Sequence, residues 1–542
     1  MTLDRAATRP WWHRAPLLLA ALALMGTLAQ PTQAQTTAPA GPTLRIATAF
    51  DPQTMDPHGL ALLYHSRVVF QIYDCLVNRS EDFKLEPGLA TEWRMVNPTT
   101  WRFKLRAGVS FHDGTPFTAD DAVFSIERAW ARPSQRSFHF TGLTAVRKVD
   151  AEHIEFSLSA PDAVWPEKLV FVAMMSKAWS EKHGAAKAQD FNAKQEMHTV
   201  RNANGTGPFR LARYEPDVRV TLARHAGWWG KGDQRNGNVT EVSFVSVKSD
   251  ATRLAALSSG EVDLVLDPPF QDIERLKTDP RISVTSVPDI GTQYFTFDQV
   301  RNELLHGDVK DRNPFKDKRV RQAVGHALNI DLIIQKVLRG QAVPAGSLVS
   351  PLVEGYAPDM DKRLAYDPAR ARALLAEAGY ANGFGVTLDC VNVAWREAVC
   401  QAAAAMLTQV GIRTQVRSSP TNQFFPKLSQ ANASFVEYGW TASPDGWSTL
   451  NGLFRTWEAS GGGTFNAGRY SNPQVDVLID AVRTEPDLVK RRARVGVVLR
   501  MVSDDLAYLP LYRRKLNWAM ARKVTVVQWP NDMTELRWAR VR

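Results

Sequence analysis

Side chains that do covalent chemistry at neutral pH reveal themselves by spacing, and this 542-residue chain offers few such spacings. An α/β-hydrolase needs a Gly-x-Ser-x-Gly elbow to expose its nucleophile. A zinc peptidase needs His-Glu-x-x-His to set two imidazoles on one helix face, and a penicillin-binding site needs Ser-x-x-Lys with its supporting motifs. None of these constellations occurs in the sequence, so an exported hydrolase is only a distant rival and no cofactor is expected. The histidines are scattered, and no pair has i, i+4 spacing. His58 and His65 lie seven apart and could share a helix face as metal-chelate ligands, but they read first as satisfied surface side chains. Three cysteines, Cys75, Cys390 and Cys400, leave at least one thiol unpaired. Cys390 ends a predicted strand and Cys400 sits in the helix after it. A bridge there is geometrically open, and buried apolar cysteines are the favoured reading.

The elements that would position such residues alternate between strand and helix along the whole chain, the mark of α/β layering. Leu44 to Ala49 opens as a strand and Leu60 to Val77 reads as a helix. Trp101 to Leu105 alternates with period two, as a half-buried strand does. Thr118 is an N-cap with Asp120 and Asp121 in the first turn, where a helix N-terminus favours anions. The spacing predicts hairpins over 146–158 and 207–222, strands over 242–247 and 262–266 around a short helix at 251–258, and one long helix over Lys318 to Leu338. Asp367 followed by Pro368 starts another helix that Gly379 ends. Strand and helix alternate again at 385–390, 396–410, 412–417 and 434–440, before a last long helix at 487–506.

The amino-terminal residues read as a secretory leader. Arg5, Arg9 and Arg14 precede an apolar run from Leu17 to Leu28, and Thr32-Gln33-Ala34 fits small-x-small cleavage after Ala34. That run would rise only about 18 Å as a helix, too short for a bilayer core of roughly 30 Å. No cysteine follows the cut to take a lipid. The formal charge is +10, and the leader's three Arg and one Asp account for two of these, which leaves +8 on the mature chain. The charges are interspersed without a basic tail, which argues against nucleic-acid binding and for simple solubility. A mature chain of this size exceeds what one core organises, so two or more lobes are expected.

Several stretches, in order, resemble family 5 of the bacterial extracellular solute-binding proteins, which includes dipeptide-, oligopeptide- and nickel-binding proteins of ABC importers. They are Leu85-Glu-Pro-Gly-Leu-Ala-Thr-Glu-Trp93, Phe111-His-Asp-Gly-Thr-Pro-Phe-Thr-Ala-Asp-Asp121, Gly205-Thr-Gly-Pro-Phe209 with Trp228-Trp229, Ser259-Gly-Glu-Val-Asp263, Asp317-Lys-Arg-Val-Arg-Gln-Ala323, Tyr366-Asp-Pro-Ala-Arg370 and Leu375-Ala-Glu-Ala-Gly379. The resemblance implies an α/β periplasmic-binding-protein type II fold, two lobes with a hinge plus an extra subdomain. Residues 1–34 would be the signal peptide; 43–72 with 200–288 and 516–542 the first lobe; 73–199 the extra subdomain; and 289–515 the second lobe. The hinge crossings would lie near Gly291 to Asp298 and Arg513 to Leu516. It implies a non-catalytic, monomeric periplasmic protein that captures a small peptide-like solute and passes it to permease subunits in the inner membrane. A nickel- or haem-type chelate is the alternative cargo, and a chemoreceptor the alternative partner.

In the peptide-binding members a Gly-Trp-x-x-Asp stretch supplies a carboxylate for the ligand's α-ammonium. Here the stretch runs Gly439-Trp440-Thr441-Ala442-Ser443-Pro444-Asp445, with Ser443 at the Asp position. Asp445 stands two residues on as a replacement. Arg396, opening a helix, would hold a carboxylate, Trp440 would stack on the ligand, and Tyr64 and His65 would face the cleft from the first helix. The Phe111–Asp121 stretch and Trp228-Trp229 read as scaffold. The loss of the ammonium anchor predicts poor binding of ordinary dipeptides.

Overall fold

The computed structural model describes residues 41–459 and 462–542; the leader and its cleavage point lie outside them. A twelve-stranded mixed sheet runs through the molecule, and the fourteen-residue strand Tyr508–Ala521 is its shared member. The second half of that strand pairs antiparallel with Leu264–Leu266 on one side and Ile282–Pro288 on the other. Leu264–Leu266 leads through Thr43–Thr48, Glu241–Ser246 and Arg219–Arg224 to Phe209–Glu215. Its first half pairs with Thr292–Phe297, followed by Phe435–Trp440, Phe384–Val391 and Ile412–Ser419, while Ala342–Pro344 adds on at Tyr512 to Arg514. Two chain segments therefore cross side by side between the two halves of the sheet, at Pro288 to Thr292 and at Tyr512 to Lys515. This crossing begins upstream of the stretch expected from Gly291. Asp289 and Arg514 join the two segments by an ion pair of 2.9 Å.

Apolar clusters line both halves of the sheet, and one of them also takes in Phe83, Trp529, Met533 and Trp538. One half packs Leu44, Ile46, Val242, Phe244 and Trp518 together. The other carries Phe295, Phe297, Phe435 and Leu511 on one face and Tyr294, Leu450, Val495 and Tyr508 on the other. A separate antiparallel sheet of four strands, Ala90–Asn97, Thr100–Leu105, His153–Leu158 and Leu143–Lys148, forms a third core with the helix Ala119–Trp130. Trp101, Phe103 and Leu105 point into that core while Arg102 and Lys104 are half-buried, as the period-two pattern requires. Thr118 caps the helix with a full capping box: its hydroxyl accepts from the Asp121 N–H and the Asp121 carboxylate accepts from the Thr118 N–H. Phe111 and Phe117 are buried, and Trp228 is 2% exposed, which places them in the scaffold.

Three expectations are corrected. The first helix spans only Leu63–Ile72, and Val77 already belongs to a strand. The helix expected over 318–338 is two, Lys318–Ala327 and Ile330–Lys336. Leu328 is extended between them, and the Asn329 side chain accepts from the Leu332 N–H, starting a new helix instead of continuing the old one. Cys390 and Cys400 are joined as a disulfide between the strand Phe384–Val391 and the helix Ala394–Gln409, and Cys75 is the buried free thiol.

Candidate ligand-binding site

The strand Phe435–Trp440 ends beside the crossing, where Trp440 is opposite Thr292 and Gly439 opposite Gln293. A Cβ at Gly439 would lie 2.6 Å from the Gln293 Nε2, so a larger residue there would displace the end of that side chain. The Trp440 indole N–H donates to Thr449 Oγ1 at 3.0 Å, and its ring rests 5.2 Å from the half-exposed Phe465. Ser443 is half-buried. Asp445 is 2% exposed, and its two oxygens accept from the backbone N–H (2.7 Å) and hydroxyl (2.9 Å) of Ser448. That carboxylate stabilises the turn leading into Trp447–Thr449 and points away from water.

Arg396 sits in the first turn of the helix Ala394–Gln409, whose N-cap Val393 provides no side-chain acceptor. Its guanidinium donates to Glu437 Oε2 from Nε (2.8 Å) and lies 2.7 Å from it through Nη2. Glu437 is fully buried. Burial pushes its pKa up, opposed by the Arg396 charge, and its Oε1 has no hydrogen-bond partner. Trp395, next along the helix, packs 6.4 Å from Phe270 and lies under the Arg514 guanidinium at 5.3 Å.

Tyr64 is half-buried, accepts from Gln53 Nε2 at 2.6 Å and stacks on the exposed Phe50. His65 is turned wholly into the interior, where burial and the nearby Arg136 drive its pKa down to about 3. His58 is buried too, its Nδ1 3.0 Å from Arg128 and its Nε2 3.0 Å from the Ala173 carbonyl. Both are therefore interior groups, not surface ones, and His58 precedes the helix instead of sharing its face. The potential metal-binding cluster found among the described residues is Cys390, Cys400 and Glu437, and both its sulfurs are held in the disulfide.

Around Asp445 the second half of the molecule meets residues 163–168. Trp447 lies 5.5 Å from Lys168 Nζ, and Ala163 N–H donates to the Arg483 carbonyl at 3.3 Å. Arg491 pairs with Glu354, and Arg79 with Glu167. Burial raises the pKa of both Glu354 and Glu167, with the Asp445 charge adding to it. The structure thus brings Trp440, Ser443 and Asp445 onto one loop beside the crossing and places Arg396 on the neighbouring helix. Tyr64 and Phe50 belong to the other half of the molecule. Glu437, Trp395 and Phe270 carried no motif. A Glu inside the apolar strand Phe435–Trp440 was the one available signal, since a buried carboxylate requires a cation.

A sheet divided at a double crossing, with helices on both faces of each half, is the type II two-lobed fold of periplasmic binding proteins. The family model of the bacterial extracellular solute-binding proteins, family 5 (middle region), matches residues 84–461, and the chain belongs to that family. It is 29% identical over 404 residues to the dipeptide-binding protein of Escherichia coli strain K12, covering 68% of this chain and 70% of the relative. It is 28% identical over 496 residues to the glutathione-binding protein GsiB of Shigella boydii, covering 89% and 90%. The ABC transporter-associated periplasmic binding protein DppA of Helicobacter pylori, solved with the peptide STSA, superposes with a TM-score of 0.73 at 23% identity over 92% of this chain and 98% of that one. Proteins of this family bind solutes.

Proposed function

We propose that this chain is the periplasmic substrate-binding component of an ABC importer and captures a small peptide-like solute that lacks a free α-ammonium. The lobes would be 43–72 with 200–288 and 516–542, and 289–515, with 73–199 as the extra subdomain. Export would remove residues 1–34, which the mass of the secreted chain would report. The relatives that bind dipeptides and glutathione support the peptide-like class. Capture without turnover agrees with a sequence that carries no hydrolase motif.

The observation that carries the reading is that the two carboxylates flanking Ser443 in sequence, Glu437 and Asp445, already have partners within the protein. Asp445 is spent on Ser448, and Glu437 is paired with Arg396. A serine hydroxyl accepts one hydrogen bond but neutralises no charge, and an ammonium without a counter-charge in a dehydrated cleft is strongly disfavoured. Loss of one partner of such a pair costs about 2–5 kcal/mol, or roughly 30- to several-thousand-fold in affinity. Arg396 holds Glu437 through Nε and Nη2, which leaves Nη1 and the uncapped helix N-terminus for a ligand carboxylate. Trp440 and Tyr64 would supply apolar faces.

Calorimetry on the mature chain tests this directly. N-acylated peptides should bind, simple dipeptides weakly or not at all, Asp445→Ala should leave the profile unchanged, and Ser443→Asp should create dipeptide binding. Micromolar affinity (about −8 kcal/mol) for several unrelated dipeptides in the wild type would overturn the reading.

A further inference from the structure

Just before the crossing, the strand Tyr508–Ala521 has an edge that its neighbours leave partly open. Thr292–Phe297 covers one side of Tyr508 to Tyr512, whereas Ala342–Pro344 joins the other side only from Tyr512 onward. A cavity of about 290 Å³ occupies the gap, between the helices Lys318–Ala327 and Leu488–Asp504. Its interior is apolar and deeply buried: Leu348, Met360, Phe454, Leu499, Val502 and Leu511 are each less than 9% exposed.

Charge on its lining is one-sided. Lys318, Lys362 and Arg363 are present against a single acid, Asp504. None of the three cationic side chains has a hydrogen-bond or ion-pair partner among the described residues. Arg363 is half-buried, whereas Lys318 and Lys362 are exposed; burial lowers the Arg363 pKa against only the Asp331 charge, and its five donors have no acceptor among the described protein groups and are open to water or a ligand. The next residue, Leu364, packs against the helix: a Cβ at Gly325 would come within 2.5 Å of its Cδ1.

An apolar cavity ringed by unpaired cations fits an amphipathic anion. We infer that the second lobe carries a second ligand site, for a medium-chain aliphatic carboxylate whose tail fills the cavity and whose head is held by Arg363 with Lys318 and Lys362. At about 290 Å³ the cavity is roughly twice the size of an apolar cavity that encloses benzene, room for a chain of the length of octanoate. Arg suits the head group because its planar fork engages a carboxylate bidentately. The site is independent of the cleft reading, and either can fail without the other.

The test is titration of the mature chain with octanoate, octan-1-ol and octan-1-amine, followed by calorimetry and by protein NMR. Octanoate should bind saturably and at least tenfold more tightly than the amine. Arg363→Gln should weaken octanoate at least tenfold and leave octan-1-ol unchanged. Gln322→Trp, placed at a half-buried rim position to block the cavity without altering its core, should abolish binding of both. Both variants should unfold at the wild-type midpoint. No octanoate binding, equal binding of the amine, or octanoate binding untouched by both substitutions would overturn the inference.

Discussion

Asp74 shows how a single buried carboxylate is kept without a cation. Thr206 Oγ1 (3.0 Å), Trp229 Nε1 (2.7 Å) and Trp228 Nε1 (3.4 Å) all donate to its Oδ2. Burial raises its pKa to about 7; the three donors oppose that rise and the Glu535 charge adds to it. An unfolded Asp titrates near 4, so the folded state is the one that holds the proton between about pH 4 and pH 7. Its contribution is fully present below about pH 4 and is lost as pH rises through about 7, at a cost of order a few kcal/mol. Denaturant midpoints of the mature chain should therefore fall between pH 5 and pH 8, and Asp74→Asn, which keeps an acceptor without a charge, should flatten that fall. Parallel pH profiles for the two proteins would show that Asp74 is ionised throughout. Asp56 is the opposite case: burial alone would raise its pKa, but Arg128, wholly buried beside it, together with His58, holds it well below the usual carboxylate range. The pairing of Arg396 with Glu437 belongs to this scale too. It spans 41 residues of sequence, so no local pattern could have shown that the expected ligand anchor already has a partner.

At the level of elements, much was legible because the signals are local. Thr118 with Asp121, and Asp367 with Pro368 and the positive-φ Gly379, mark helix ends within a few residues, and the structure places them there. The break at Leu328 was missed because apolar residues recur at helical spacing on both sides of it, and only the Asn329 cap interrupts them. The cysteines were undecidable for a related reason. Two buried apolar positions ten residues apart look alike whether bridged or reduced, and the choice depends on a strand end meeting the second turn of a helix. That helix carries Trp395 and Arg396, so the bridge ties the proposed ligand-facing turn to the sheet. Thiol titration of the unfolded mature chain should find one free thiol, Cys75, and three after reduction. Three thiols before reduction would remove the bridge. Replacing both bridged cysteines by serine should cost about 2–3 kcal/mol, the loop-closure value for a short loop.

For the whole molecule, the proposed function requires two lobes that open and close about the paired segments at Pro288 to Thr292 and Tyr512 to Lys515. A ligand favours closure only by the difference in its affinity for the two states, so the free protein must hold them in near balance. Two of the contacts that bridge the proposed lobes and subdomain are individually modest. Phe270, from the part containing Leu264–Leu266, meets Trp395 at 6.4 Å, and Lys168, from the extra subdomain, meets Trp447 at 5.5 Å. An aromatic pair is worth about 0.5–1.5 kcal/mol and a cation–π contact about 0.5–2 kcal/mol as it goes from exposed to desolvated; the Lys168 side chain is 13% exposed and also pairs with Asp162. Removing both should shift the open-to-closed ratio about 5- to 30-fold toward open, since one or two kcal/mol corresponds to that factor. The double variant Phe270→Ala/Lys168→Ala should thus show a larger radius of gyration than wild type in small-angle scattering without ligand. A peptide shown by calorimetry to bind should return both proteins to the same smaller value, at a higher concentration for the variant, because it must first supply the closure energy the variant has lost. If the two unliganded scattering profiles coincide, or if saturation leaves the wild-type radius unchanged, closure about these segments is not how the protein captures its solute.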